Sequence, residues 1–596
     1  MRTQVLDALA RAAEGNHSAV RAELGVRGEP LLRGPARRNV ARALSMARAH
    51  TRSTDDAHIA RVAYLLAAER DIGDADDVDA VAATFAAIRP GRGRPIWWLT
   101  ALIIVAAASV TGASLLWAHV RATAPPPPAA GVFATGGSTA PPAYAVTLAD
   151  ALTQHAVAIG QRRGNGGGAV AVARNDDEIA RARAEVVVAA APLGGAAAAS
   201  LAALLDTVAT IATSGHTPAD ATASLFAAVG AVNDELVAAG VPLYVDGDLV
   251  AFPDGSRLPY VALFGVEKVA RYRAGGLEVR VLHVRKLDRM ALRASLLGQT
   301  RRETHDALVL VDDLEHLGVG TLMPALADGG TLRFVTSSGD FPERPAIEAR
   351  AGEVARRELA AAAAMEPALL VQAATPLARR REFFEKWLEP LRARGLAFEA
   401  PGTLDLPDEW RAPLAQLLPK PALEELVAIQ QAVSDDLPAR GAAAVTAALL
   451  TAAERREVQH RVDFTGPPLP MPQELVALRG GERSRDLLSA ALADLARDPT
   501  TPGVGLTVLA RNLFDAAAWR RPECSAAVVV FEGMGAELGL PPGHLIVENR
   551  VDRSLAARRY LELVDKPPEA VHAAAGRLWA RLFGKPLVAI EPITGR

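Results

Sequence analysis

The stretch of the chain with the clearest chemical potential is Arg456-Glu457-Val458-Gln459-His460, inside a predicted helix. It differs at one position from the H-E-x-x-H pattern, in which two histidines one helical turn apart bind zinc and the glutamate acts as general base. Here arginine stands at the first ligand position. Because a guanidinium stays protonated at any physiological pH, Arg456 has no lone pair to offer a metal ion.

The residues upstream of this stretch indicate which side of the helix is buried. Residues three or four apart share a helical face, and Val445, Leu449 and Ala452 lie in one row with Arg456 and His460. The upstream members are apolar, so we expect the row to face the core and His460 to be buried. Glu457 projects beside it.

A second predicted helix, residues 483–497, completes the pattern. The region from about 420 to 540 resembles a zinc metallopeptidase domain of the gluzincin type, on the R-E-V-Q-H stretch and on L-L-S-A-A-L-A-D-L in the second helix. In that family the second helix supplies a glutamate as third ligand, and the resemblance places it at Leu487. The resemblance therefore implies a degenerate site. Glu457 is its vestigial general base, His460 a vestigial metal ligand, and Arg456 and Leu487 stand at the lost ligand positions.

Two alternatives remain open for this region. The E-x-x-H pattern also occurs by chance in long helices, with no relation to a peptidase. An active zinc enzyme would need substitute ligands, for which Asp486 is the first candidate, followed by Glu482 and Asp494. In the degenerate interpretation no cofactor is expected, and the Arg456 guanidinium is expected to pair with Glu457 or Asp486 in place of a metal charge.

Residues 96–118 predict a transmembrane helix. They run for 23 residues without a charge and have Trp97, Trp98 and Trp117 at their two ends. Such a helix is about 34 Å long, enough to cross a hydrocarbon core of about 30 Å, and tryptophans favour the interface. Arginines cluster before the span, which predicts a cytoplasmic N-terminus and an exported C-terminal part. In a bacterium this places the chain in the inner membrane as a single-pass protein, with its larger part periplasmic or extracellular.

The other segments complete the predicted layout. Residues 1–90 predict a small all-helical cytoplasmic domain that could bind a cytoplasmic protein, and residues 119–146 are a Pro/Gly-rich linker. Residues 147–340 predict an α+β region with a β-meander of about four strands at 242–287, and residues 341–596 a helical, zincin-like domain. Turns are predicted at Asp246-Gly247 and at Gly275-Gly276. The fold class is thus mainly α with a small antiparallel meander.

Composition excludes several other functions. The single cysteine, Cys524, excludes a disulfide framework, and the formal net charge of −3 gives no general attraction to nucleic acid. The apolar run at 307–315 ends in acids like a Walker B strand, but the chain has no G-x-x-x-x-G-K-[ST], so we interpret the run as an apolar element capped by acids.

These observations give three hypotheses for function. The first is a membrane-anchored envelope protein whose exported domain is a degenerate metallopeptidase that binds peptides or envelope proteins without cleaving them. The second is an active zinc metallopeptidase with non-standard ligands. The third is a transmembrane sensor or scaffold without enzymatic activity, which is compatible with the first.

Overall fold

The computed structural model describes most of the chain after residue 141. The described ranges are 142–164, 169–213, 221–251, 257–287, 297–332, 341–392, 401–478, 481–498, 500–514, 519, 521–548 and 550–593. All of these residues except 163 and 164 belong to one compact unit. The predicted cytoplasmic domain (1–90), the predicted membrane span (96–118) and most of the linker (119–146) lie outside the described residues.

Four alanine-rich helices begin the described part, within the region predicted as α+β. They are α1 (Ala143–Gly164), α2 (Ala169–Ala190), α3 (Gly195–Thr213) and α4 (Ala221–Ala238), with a 3-10 turn at Ala191–Leu193. Their leucines, valines and alanines form one apolar core with the inward residues of the first two strands, among them Val245 and Leu263. Burial of this shared face holds the helical layer on the sheet.

Helix α3 is the one helix among the described residues that is long and apolar enough to cross a membrane, over Gly195–Ala212. One of its faces, which includes Leu201, Leu204 and Val208, is buried in the core shared with the sheet. The prediction of a span at 96–118 stays a prediction.

A mixed sheet forms the centre of the unit. Its strands are β1 (Leu243–Ala251), β2 (Arg257–Ala274), β3 (Leu277–Lys286), β4 (Gly298–Thr300), β5 (Ala307–Leu310) and β8 (Ile590–Pro592). The order is β1-β2-β3-β5-β4, with β8 paired to β2; only the β3–β5 pair is parallel. The predicted antiparallel meander is confirmed, but it has three strands, β1 to β3, where about four were predicted, because 257–274 is one continuous strand and β1 runs through Asp246-Gly247. A parallel strand, an edge strand and a C-terminal strand extend it.

One predicted turn is confirmed and the other is wrong. Gly275 and Gly276, with φ of 55° and 85°, form the two-residue turn between β2 and β3. Asp246 and Gly247 lie inside β1 instead of in a turn. The strand continues there because Arg301 holds the Asp246 carboxylate in two hydrogen bonds of 3.1 Å, and because Gly247 lets α4 approach closely.

Helices make up most of the remainder, which confirms a mainly α fold. They are α5 (Val311–Glu315), a π-helix (His316–Leu322), α6 (Met323–Leu326), α7 (Arg344–Ala362), α8 (Pro367–Arg392), α9 (Asp408–Leu417), α10 (Lys420–Val433), α11 (Asp436–Thr465), α12 (Gln473–Ala477), α13 (Glu482–Leu495), α14 (Pro502–Phe514), α15 (Pro522–Glu537), α16 (Arg553–Val564) and α17 (Pro568–Phe583), with a hairpin of β6 (Ile546–Val547) and β7 (Arg550–Val551). Strand β5 is buried along its length and leads into the acids Asp312 and Asp313, as interpreted from the sequence.

Local sequence explains where several of these helices begin and end. Asp552 caps α16 by accepting a hydrogen bond from the Leu555 amide at 3.0 Å, and α17 ends at Gly584 in the left-handed conformation. Pro376 and Pro390 lie inside α8, which begins at Pro367. Helix α11 is the longest of the described helices, with 30 residues, and it contains the R-E-V-Q-H stretch.

Candidate functional site

The C-terminal half of α11 passes between the sheet and α13 and buries an unusual number of polar side chains. Helix α11 packs against β3, β4 and β5 on one side and against α13 on the other. Charged and polar side chains are rarely buried unless they have partners. Those buried in this half of α11 are Glu454, Glu457, Gln459, His460, Arg461 and Asp463.

Glu457 lies against the edge strand β4. Its Oε2 accepts a hydrogen bond of 2.7 Å from the Thr300 hydroxyl. The backbone of Gly298 lies so close to the carboxyl group that a Cβ at position 298 would stand 2.5 Å from the Glu457 Cγ and Oε1 atoms. Burial raises the pKa of the Glu457 carboxyl to about 7, although the Arg456 charge and the Thr300 hydrogen bond oppose the shift.

His460 is buried one turn after Arg456, as the row of apolar residues predicts. Its ring stacks on Phe464, with centroids 5.8 Å apart, and its Nδ1 atom has no hydrogen-bond partner. Burial lowers the pKa of His460 to about 3, and the positive charge of Arg456 contributes to the same shift. The imidazole is therefore neutral throughout the physiological range.

Arg456 does not form the ion pair expected from the sequence. Asp486 accepts both of its hydrogen bonds from Arg485, at 3.0 and 2.8 Å. No described residue forms an ion pair with Arg456, and its Nε atom is buried without a partner. The guanidinium instead lines a small cleft together with Asp494 of α13. Its positive charge lowers the pKa of both Glu457 and His460 without an ion pair or hydrogen bond to either.

Leu487 and the proposed substitute ligands lie on α13. Leu487 is half-buried and packs against the main core. The α13 residues that line the cleft with Arg456 are Ala491, Asp494 and Leu495, and Leu487 is not among them. Asp486 is held by Arg485, and Glu482 is exposed at the start of α13. The assignment of Leu487 as a lost ligand stays a prediction.

The chain shows two polar clusters that the sequence did not predict. Arg455 bridges α11 to Asp494 and Asp498, at 3.1 and 3.0 Å. On the opposite side, Glu454 accepts hydrogen bonds from the Tyr272 hydroxyl and, at 2.5 Å, from Nε2 of His283. His283 is an inward residue of β3, so a signal existed in the alternation of that strand. Its partner on α11, however, is 171 residues away along the chain.

Among the described residues, the side chains around His460 do not form a complete ligand set for a catalytic zinc ion. Such an ion needs three protein ligands with available lone pairs. Arg456 and Leu487 have none to offer, and the described residues contain no group of three His, Cys, Asp or Glu side chains placed to hold a metal. A cation at His460 would also lie close to the fixed positive charge of Arg456.

Comparisons with models of protein families, with curated proteins and with solved structures found no match to this chain.

Proposed function

We propose that this chain is a membrane-anchored envelope protein whose described domain is a catalytically degenerate, metallopeptidase-like binding module. The observation that supports this most directly is Arg456. It occupies the first ligand position of an HExxH-like helix as a guanidinium without an ion-pair partner in the described residues. A permanent positive charge therefore stands where the metal would supply one in an active peptidase.

The state of Glu457 supports the same proposal. A general base must reach a water molecule or a substrate proton within hydrogen-bond distance. Glu457 is 4% exposed, and its carboxyl group is enclosed by Thr300 and Gly298 of the edge strand. In this arrangement the carboxyl group joins α11 to the sheet, which is a structural role.

The amino-acid sequence supports the membrane location of the chain. An apolar span at 96–118 with arginines on its N-terminal side would place residues 147–596 outside the cytoplasm. A module of this kind, held by a Pro/Gly-rich linker, would bind peptides or envelope proteins without cleaving them. Residues 1–90 would then remain available for a cytoplasmic partner.

Metal analysis of the purified full-length chain tests the proposal. We expect less than about one-tenth of a zinc ion per chain after incubation with excess zinc and desalting, as measured by inductively coupled plasma mass spectrometry. About one zinc per chain, lost in a His460→Ala variant and accompanied by peptide cleavage, would instead establish an active peptidase with unusual ligands.

Restoring the site is a sharper test of the ancestry. The double variant Arg456→His/Leu487→Glu rebuilds the ligand set implied by the resemblance. Arg456→His/Ala491→Glu places the carboxylate one turn later, at a residue that lines the same cleft as Arg456. Zinc uptake by either double variant, and its loss on adding His460→Ala, supports a degenerate zincin. Failure of both removes the metallopeptidase relation from the proposal.

A further inference from the structure

The turn between α2 and α3 lies at one end of the helical layer and carries no charge. No Asp, Glu, Lys, Arg or His occurs between Glu185 and Asp206, a run of 20 residues. The part of this run around the turn, residues 187–199, is here called the α2–α3 tip. Its side chains are largely exposed, among them Val187, Val188, Ala191, Pro192, Ala196 and Ala199.

The end of α4 enlarges this uncharged surface. Helices α3 and α4 pack against each other and are joined by seven residues, so they are antiparallel and the last turn of α4 lies beside the first turn of α3. Val237 is 49% exposed there, and the chain has no charge from Leu236 to Val245. Three of the seven large exposed hydrophobic side chains in the described part of the chain, Val187, Val188 and Val237, therefore lie at one end of the layer. Exposed apolar patches mark interaction sites.

The start of α1 lies at the same end. Helices α1 and α2 have 22 residues each and are joined by four, so they too are antiparallel. Burial, and next the charge of Arg183 on α2, lowers the pKa of His155 on α1 to about 4, which places these two residues near each other. This register sets Ala143 beside the α2–α3 tip. The next residue, Tyr144, is half-buried, and tyrosine is favoured at membrane interfaces.

A lipid bilayer is the surface that this end of the layer reaches. Residues 119–142 join the predicted span to α1. These 24 residues extend over about 25–30 Å as a flexible chain and over at most about 80 Å when fully stretched. The tip therefore stays close to the membrane in which the chain is proposed to be anchored. An uncharged surface loses no charge hydration on entering lipid, and its exposed valines are removed from water.

We propose that the α2–α3 tip dips into the adjacent leaflet of the membrane and docks the helical layer on the bilayer surface. Interfacial helices insert about 5–10 Å, which corresponds to about one to two turns of α2 and of α3. Deeper insertion is unfavourable, because the ends of two helices carry backbone groups without intrahelical partners, and these need water or lipid headgroups. The inference rests on the proposed function only for the membrane anchor.

Fluorescence of the full-length chain reconstituted in phosphatidylcholine vesicles tests this contact. A nitrobenzoxadiazole label is attached to Val188→Cys or to Ala196→Cys, and Val547→Cys, 46% exposed on β6, is the matched control. The one native cysteine, Cys524, is buried, so the wild-type chain measures background labelling. We expect a nitroxide-labelled lipid to quench the labels at 188 and 196 about twofold or more, and to leave the label at 547 unchanged.

A charge placed on the tip gives an independent reading. Val188→Asp should abolish quenching of the label at Ala196→Cys, because a carboxylate resists transfer into lipid. Val547→Asp should leave that quenching unchanged. Val188 is 76% exposed, so the substitution leaves the fold intact. High salt should not alter the quenching, since the tip carries no charge that salt could screen.

Equal quenching at positions 188 and 547, or quenching that survives Val188→Asp, would refute the lipid contact. Blue-shifted emission without nitroxide quenching, or a high yield of disulfide-linked dimer in Val188→Cys, would refute it and assign the tip to a second copy of the chain. Alkaline carbonate washing of the same vesicles separates the two proposals. Release of the chain refutes the membrane anchor and the reach of the tip that depends on it. A retained chain with unquenched labels refutes only the tip contact.

Discussion

The hydroxyl of Thr300 donates a 2.7 Å hydrogen bond to Oε2 of Glu457, and this bond fixes the edge strand β4 against α11. The Glu457 carboxyl group has no cation within ion-pair distance among the described residues. Arg456, its neighbour in sequence, points into the cleft between α11 and α14, whereas Glu457 points to the sheet. Arg456 and Glu457 are neighbours in sequence, but their charged groups therefore lie on two different faces of α11.

The pH dependence of stability should reflect the buried Glu457 carboxyl. Its pKa is about 7 in the folded chain and about 4.5 in the unfolded chain. Above about pH 4.5 the folded state therefore binds more protons than the unfolded state, and the free energy of unfolding falls as the pH rises through 7. A shift of this size corresponds to about 3 kcal/mol between pH 4.5 and pH 8. Glu457→Gln should remove that loss, so its stability relative to wild type should increase with pH. Thermal midpoints across this range measure it.

Glu454 provides a control, because its pKa is shifted in the opposite direction from that of Glu457. Burial alone would raise the pKa of Glu454, but the hydrogen bonds from His283 and Tyr272 lower it below its usual value. Its contribution is therefore present above about pH 4.5 and is lost as the pH falls. Glu454→Gln should destabilise the chain at pH 8, where Glu457→Gln stabilises it. Parallel pH profiles for the two variants would contradict the assignment of the carboxyl states.

Gly298 should be intolerant of any side chain. A Cβ at this position would lie 2.5 Å from the Cγ and Oε1 atoms of Glu457, closer than atoms can pack. We expect Gly298→Ala to cost about 1–3 kcal/mol, because β4 or the carboxyl group must shift. The loss should be largely absent in a Glu457→Ala background, since the clashing atoms are gone. Additive effects in this double-mutant cycle would show that the two residues do not touch.

The sequence predicted the elements better than their partners. The sequence located the strand region at 242–287, although not its division into three strands, and helical spacing located α11 and α13. The row of Val445, Leu449 and Arg456 correctly predicted that His460 is buried. Such local patterns report which face of an element is buried, and that information is contained in a short window.

What lies opposite a buried face depends on residues far away in sequence. Nothing near Glu454 in the chain indicates His283 or Tyr272, and nothing near Asp246 indicates Arg301. The Asp246-Gly247 pair was therefore interpreted from its local turn preference, whereas tertiary contacts keep it in a strand. The direction of Arg456 was likewise not predictable, because it is set by α13 and α14 and not by Glu457.

The cluster of Tyr272, His283 and Glu454 should be strongly cooperative. Glu454→Ala removes the acceptor for two buried donors, for which we expect a loss of about 3 kcal/mol. Tyr272→Phe should cost about 1–2 kcal/mol, and the double variant should cost less than the sum because both changes remove the same bond. The exposed neighbour Arg271 is the control, since its substitution by Met should change stability by about 0.5 kcal/mol or less. Additivity within the cluster would contradict the shared bond.

Arg380 should hold the segment that follows residue 400 in a fixed conformation. It is 1% exposed and donates hydrogen bonds to the carbonyl oxygens of Leu404 and Thr403, both at 2.6 Å, and of Pro401 at 3.2 Å. Burial lowers the pKa of Arg380 to about 10, so it is still protonated at neutral pH. Arg380→Met keeps the side-chain volume but removes these donors, and we expect a loss of about 2–4 kcal/mol. Limited proteolysis should then cut within residues 401–406, whereas Arg380→Lys, with a single donor group, should give an intermediate rate. Unchanged cleavage in the Met variant would show that the segment is held by its apolar contacts instead.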